Sequence, residues 1–127
     1  MQGCSKHDGS PATFGDANAQ NVSELAVGTL RAVPGAPAFI ARDALGIYAM
    51  TSTCTHQGCD VAPAAGGSLF CPCHGSSFDA NGNRTGGPAQ SPLVHFAVDV
   101  DPAGNMTIHG GVQVDATTRV AVPPGLG

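Results

Sequence analysis

The chain has 127 residues, which suits one domain with a modest core and falls short of two. Its 18 glycines and 10 prolines break helices and mark turns, so with 42% hydrophobic and 11% charged residues the composition points to an all-β fold rather than a helical bundle. A net charge of −4 argues against nucleic acid, whose phosphates demand a basic face, and suits either a basic redox partner or plain solubility.

The start of the chain, residues 1–21, is rich in Gly, Ser, Asn, Ala and Asp without an apolar period and reads as a mobile N-terminal segment. It holds no hydrophobic signal region, so an export signal, if the protein is made with one, has been removed. No run of about 18 apolar residues occurs anywhere, so no membrane-spanning helix is expected. From Val22 onward, residues 22–127 form one domain in which apolar runs alternate with turn signals. Val22 to Val33 offers a strand or two and Pro34-Gly35 a turn. Ala38 to Arg42 and Ile47 to Ser52 flank Asp43-Ala44-Leu45-Gly46 as a hairpin, whose second strand delivers the chain to Cys54. Ser68 to Phe70 is a short strand leading into Cys71, and Asp79 to Asn83 is a tight turn. Leu93 to Val100 places Val94, Phe96, Val98 and Val100 on one face with the period of a half-buried strand. Asp101 to Asn105 turns this into Met106 to His109; Val112 to Val114 and Arg119 to Val122 are weaker strand candidates.

The chemistry concentrates in two boxes, Cys54-Thr55-His56-Gln57-Gly58-Cys59 and Cys71-Pro72-Cys73-His74-Gly75-Ser76, each on a loop just past a strand. Each offers a thiolate and an imidazole, Cys54 with His56 and Cys71 with His74. A structural zinc site uses the same residue types, but its knuckles space ligands by two to four residues, and the single residue between Cys54 and His56 is too tight. A disulfide framework with incidental histidines leaves both box geometries unexplained.

The boxes resemble those of the Rieske iron–sulfur proteins, most strongly over Cys54 to Leu93. Because Cys59 and Cys73 are present, the resemblance is to the high-potential branch; the family's low-potential ferredoxins generally lack both. It implies one [2Fe–2S] cluster per chain, with Cys54 and Cys71 on the inner iron and His56 and His74 on an outer iron near the surface, where an electron enters or leaves. It implies a disulfide between Cys59 and Cys73, and hence an oxidising compartment such as the periplasm. The implied fold has three antiparallel sheets, a base domain carrying a small cluster-binding subdomain, here about residues 53–92. Gly86 to Pro92, which contains Pro88, resembles the proline-containing loop that covers the cluster from a third side; an ordinary Gly/Pro linker is the other reading.

Two ferric ions, two sulfides and two thiolates sum to zero charge, so such a cluster accepts an electron more readily than an all-cysteine one. Ser76 and Gly75 lie beside the ligands in the second box. Ser76 matches the serine whose hydroxyl donates to a bridging sulfide and raises the potential. Phe78 stands where the quinol-oxidising members carry a tyrosine that donates to a ligand sulfur, and Gln57 where they usually carry a leucine that packs against quinone. These departures imply a potential high for an iron–sulfur protein but below that of the tyrosine-bearing members. Imidazole ligands further imply a potential that falls as pH rises through the oxidised-state pKa.

Two functions fit. One is a soluble or lipid-tethered periplasmic electron carrier, inert as a catalyst by itself, serving a c-type cytochrome or a membrane quinol-oxidising complex. The other is the cluster-bearing subunit or head domain of an oxidoreductase, of the cytochrome bc or arsenite-oxidase type. Met1-Gln2-Gly3-Cys4-Ser5 resembles the cleavage region of a bacterial lipoprotein, which makes Cys4 a candidate for lipidation with residues 1–21 as a tether. Gln2 fits that pattern poorly, and a free or dimer-forming thiol is the competing reading of Cys4. His7, His95 and His109 lie outside the boxes and are assigned no role.

Overall fold

A computed structural model of the chain describes residues 14–53, 60–64, 68–73, 75–87 and 92–125. These contain strands β1 (Asp16–Asn21), β2 (Thr29–Ala32), β3 (Ala38–Asp43), β4 (Gly46–Thr51), β5 (Ala62–Pro63), β6 (Leu69–Cys71), β7 (Ser76–Phe78), β8 (Arg84–Gly86), β9 (His95–Val100) and β10 (Asn105–Val114). A 3-10 turn, Val22–Glu24, is the one helical element among the described residues, capped where the Asn21 side chain accepts from the Ser23 amide. Every pairing is antiparallel, and the all-β expectation holds.

The strands form a six-stranded ladder in the order β1-β10-β9-β4-β3-β2 and a four-stranded sheet in the order β5-β6-β7-β8. Only two residue pairs, His95 with Met50 and Phe96 with Ala49, join β9 to β4 in the middle of the ladder. This short pairing, extended by the Thr51 amide donating to Val94 O at 2.9 Å, is the narrowest seam of the ladder.

The β3–β4 hairpin lies at the centre because both its faces are covered. Ile40, Ile47 and Ala49 join a core with Leu25, Phe96, Met106 and Ile108. Phe39, Tyr48 and Met50 face the other way, into a second core with Val61, Leu69, Cys71, Phe78 and Leu93. Burial on two faces is why these strands read as continuous apolar runs rather than as an alternation. The first core stabilises the ladder, and the second fastens the four-stranded sheet to it.

The two Asp-x-x-Gly-Asn segments build the same turn. Asp79 Oδ1 accepts from the amides of Asn81 and Asn83, both at 2.9 Å, and Asp101 Oδ1 accepts from those of Ala103 and Asn105 at 3.0 and 2.9 Å. In each the asparagine side chain returns a bond to the second carboxylate oxygen. One carboxylate thus closes the turn that the sequence marks, and Gly82 and Gly104 supply the positive φ that follows.

Several local expectations change. Residues 16–21, read from composition as part of a mobile segment, form β1, an edge strand paired with β10. Ala19 is its one buried residue, so the strand is held by backbone hydrogen bonds and shows no apolar period. Residues 1–13, and Cys4 with them, lie outside the described residues. The Val22–Val33 region yields one strand, β2, and Met106 to Val114 is continuous as β10, bulging between its pairings with Phe96 and Ala97. Arg119 to Val122 contributes a single bridge, Val120 with Ile47.

Candidate metal centre

The flanks of both boxes are closed by antiparallel pairs. Thr53 pairs with Asp60 across the first box, and the Val61 amide donates to Ser52 O at 2.7 Å. Residues 54–59 themselves, including Cys54, His56, Gln57 and Cys59, lie outside the described residues. Across the second box Cys71 pairs with Ser76, and the Gly75 amide donates to Cys71 O at 3.0 Å. Gly75 holds φ +80, a left-handed conformation that a side chain resists, which accounts for glycine there. His74 is outside the described residues. The strand that leaves the first box, β5, lies beside the strand that enters the second, β6, with Ala62 opposite Phe70 and Pro63 opposite Leu69. Sheet pairing therefore brings the bases of the two boxes together.

Cys71 is 1% exposed, packed in the apolar second core, and not in a disulfide. Ser76 and Phe78 are fully buried on β7. Cys73, by contrast, is disulfide-bonded. The loop after β8 presses on this box. A Cβ placed on Gly87, at φ +85, would lie 2.5 Å from Ser76 Cα and 2.6 Å from Gly75 O, so only glycine fits. Arg84 grips the same residue, its guanidinium donating to Gly87 O at 2.7 Å. Pro88 follows immediately, outside the described residues.

These residues fit an iron–sulfur cluster. A buried thiol at a tight turn, in apolar surroundings and with a buried hydroxyl beside it, offers a soft ligand and a low dielectric together. A family model described as the Rieske [2Fe-2S] domain matches residues 16–97. The chain belongs to the Rieske family. Its domain carries one [2Fe–2S] cluster, through which single electrons pass.

This Rieske chain is 37% identical to the cytochrome b6-f complex iron-sulfur subunit of Prochlorococcus marinus over 70% of its own length and 52% of the relative's. It is 40% identical to the carotenoid phi-ring synthase of Chlorobaculum tepidum over 60% of its length, but over only 12% of that protein. The chain thus spans from about an eighth to about half of the length of these curated relatives. Among solved structures, the plasma membrane Rieske protein PetC3 of Synechocystis PCC 6803 superposes with a TM-score of 0.59 at 31% identity, covering 72% of this chain and 97% of that one. Among the described residues, no helix is long and apolar enough to cross a membrane.

Sequence reading missed a polar cluster at the turn between β7 and β8. The Tyr48 hydroxyl donates to Ala80 O at 2.7 Å, His95 Nε2 contacts Asn81 O at 2.8 Å, and Arg119 Nη2 donates to Asn81 Oδ1 at 2.6 Å. The Arg119 guanidinium lies 3.9 Å from the Tyr48 ring centroid and pairs with Asp43, and the Tyr48 and His95 rings stack at 5.5 Å. Because Asn81 O can only accept, His95 carries its proton on Nε2; Nδ1 is buried without a hydrogen-bond partner among the described residues. Burial lowers the His95 pKa and raises that of Tyr48, so both rings stay neutral. Burial pushes Asp43 up, but the Leu45 amide and Arg119 outweigh it and hold the carboxyl below its usual range. The sole tyrosine and the Asn81-Gly82 pair were the available signals; Arg119 offered none.

Proposed function

We propose that this protein is an extracytoplasmic single-electron carrier, soluble or held to a membrane by a lipid on Cys4, and not a catalyst by itself. The bound cluster supplies the one-electron couple. Cys54 and Cys71 hold one iron and His56 and His74 the other, while a Cys59–Cys73 disulfide braces the two loops and suits the periplasm. The observation that carries this reading is Cys71, a buried thiol outside any disulfide, two residues from Cys73, which is in one. Spatial closeness of the box bases supports the shared ligand set, and Gly87 seated on Ser76 supports the covering role of the loop containing Pro88.

Ser76 would offer its buried hydroxyl to the cluster, where a donor favours the reduced, more negative state. Phe78 shares the apolar core of Cys71 but has no hydroxyl, so one donor is absent and the potential lies below that of tyrosine-bearing members. Gln57 presents a polar tip where a quinone-packing leucine stands in quinol oxidases. A c-type cytochrome or a membrane quinol-oxidising complex is the redox partner.

The purified protein should contain iron and acid-labile sulfide at about two each per chain and give the EPR signal of mixed nitrogen and sulfur ligation. Cys71→Ser should abolish both; a stable Cys71→Ser protein that keeps the signal refutes the ligand assignment. A second reading, that the chain is the cluster-bearing head of a quinol-oxidising complex or of an arsenite-oxidase-like enzyme, draws on the 37% identity to a b6-f subunit. Co-purification with a large membrane partner, and quinone-inhibitor sensitivity of cluster reduction, would favour it.

A further inference from the structure

We propose that Tyr48, His95 and Arg119 act as a clamp that positions the second box, and that through Ser76 they tune the reduction potential. The inference rests on the reading of Ser76 as a donor to the cluster. Three consecutive backbone carbonyls of the turn after β7 are each held, two from ladder strands and one from the segment that leads into β9: Ala80 O by Tyr48, Asn81 O by His95, and Gly82 O by the Leu93 amide at 2.8 Å. The Asn81 side chain is held on both sides as well, accepting from Arg119 and donating to Ala116 O at 3.2 Å. The turn is itself stiff, since Asp79 bonds the amides of Asn81 and Asn83. Force applied at the turn therefore passes into β7, which begins at Ser76.

The hairpin β7–β8 is thus fixed at both ends. The clamp holds its closed end, and Gly87 wedges its open end against Ser76. Phe78 already attaches this short hairpin to the ladder by apolar packing, which carries little direction. A buried tyrosine and histidine with a partly buried arginine instead fix one orientation, because each hydrogen bond is directional and an unmade one is costly. Arg119 is paired with Asp43, so its charge is compensated locally and its effect on Ser76 is one of position.

The test uses two conservative substitutions that leave the charge unchanged. Tyr48→Phe removes one hydroxyl and keeps the stacked ring; Arg119→Lys keeps the cation and removes the planar fork that reaches Asn81 and Asp43 together. Each is made in the wild-type protein and in Ser76→Ala, with potentials read by protein-film voltammetry and iron content and unfolding midpoint measured alongside. Both variants should retain the cluster and shift the potential downward, and in the Ser76→Ala background that shift should fall to less than half. Unchanged potentials in both variants would reduce the clamp to a structural support. A shift of the same size without the Ser76 hydroxyl would overturn the route through Ser76. If Ser76→Ala alone leaves the potential unmoved, the donor reading fails and the proposal with it, whereas a chain that assembles no cluster refutes the functional reading instead. Should Arg119→Lys fail to fold, Tyr48→Phe decides.

Discussion

Gly87→Ala isolates the contact between the covering loop and the second box. Two effects combine. At φ +85 an alanine is left-handed, which costs about 1–2 kcal/mol. Its Cβ would also lie 2.5 Å from Ser76 Cα, 2.6 Å from Gly75 O and 2.8 Å from Ser76 N. All three are backbone atoms, so no side chain can swing away. Relaxing to a carbon contact of about 3.5–4.0 Å requires the loop and β7 to part by roughly 1 Å. That separation strains the Arg84 bond to Gly87 O, whose net worth is about 0.5–1.5 kcal/mol. The expected destabilisation is about 2–4 kcal/mol, read as a fall of roughly 10 °C in the thermal midpoint. Gly111→Ala is the matched control, with nothing within 4 Å of the added Cβ, and should stay within about 0.5 kcal/mol of wild type. Denaturant unfolding of both variants, with visible circular dichroism to follow the cluster, makes the comparison. A Gly87→Ala protein as stable as the control, with unaltered cluster spectra, would refute the seating of the loop on Ser76.

Phe78→Tyr should raise the reduction potential, because its hydroxyl would enter the buried core shared with Cys71; an unchanged or lower value in voltammetry contradicts this. Cys73→Ser should cost about 3 kcal/mol in chemical denaturation if its partner is Cys59, since that disulfide closes a loop of about 15 residues, and peptide mapping without reductant should recover the pair. Recovery of Cys73 joined to Cys54 or Cys4 would overturn the pairing. His109 lies between Asp16 and Asp99, with a carboxylate oxygen 2.7 Å from each ring nitrogen, and the two carboxylates raise its pKa above 6.5. Both nitrogens donate only in the charged ring, so this tie between β1, β10 and β9 is full below the unfolded pKa and is lost as pH rises through the higher folded one. His109→Gln should therefore cost more near about pH 5.5 than near about pH 9, by less than about 1 kcal/mol because both aspartates are exposed. Equal losses at the two pH values would dismiss the ion-pair account.

The ligand chemistry was legible because it is local. Each box lies within six consecutive residues, and the resemblance of the two boxes to those of the Rieske proteins is what implied the [2Fe–2S] cluster that the family carries. The Asp-x-x-Gly-Asn turns and the β3–β4 hairpin were legible for the same reason, since each is closed by bonds between residues a few positions apart. β1 was not, because an edge strand held by backbone bonds needs no apolar pattern. His95 sits in an alternating run whose apolar face was read correctly, but sequence could not show that the opposite face is also covered at His95. Nor could it show that Tyr48, Asn81 and Arg119 meet. Arg119 reaches Asn81 across 38 positions and Asp43 across 76, and sheet topology alone brings them together. By itself, then, the sequence determined the family and its one [2Fe–2S] cluster, since the box residues that carry the resemblance lie close together in the chain. Tertiary structure decided how the turn at Asn81 is held, because Tyr48, His95 and Arg119 reach it only once the two sheets have packed.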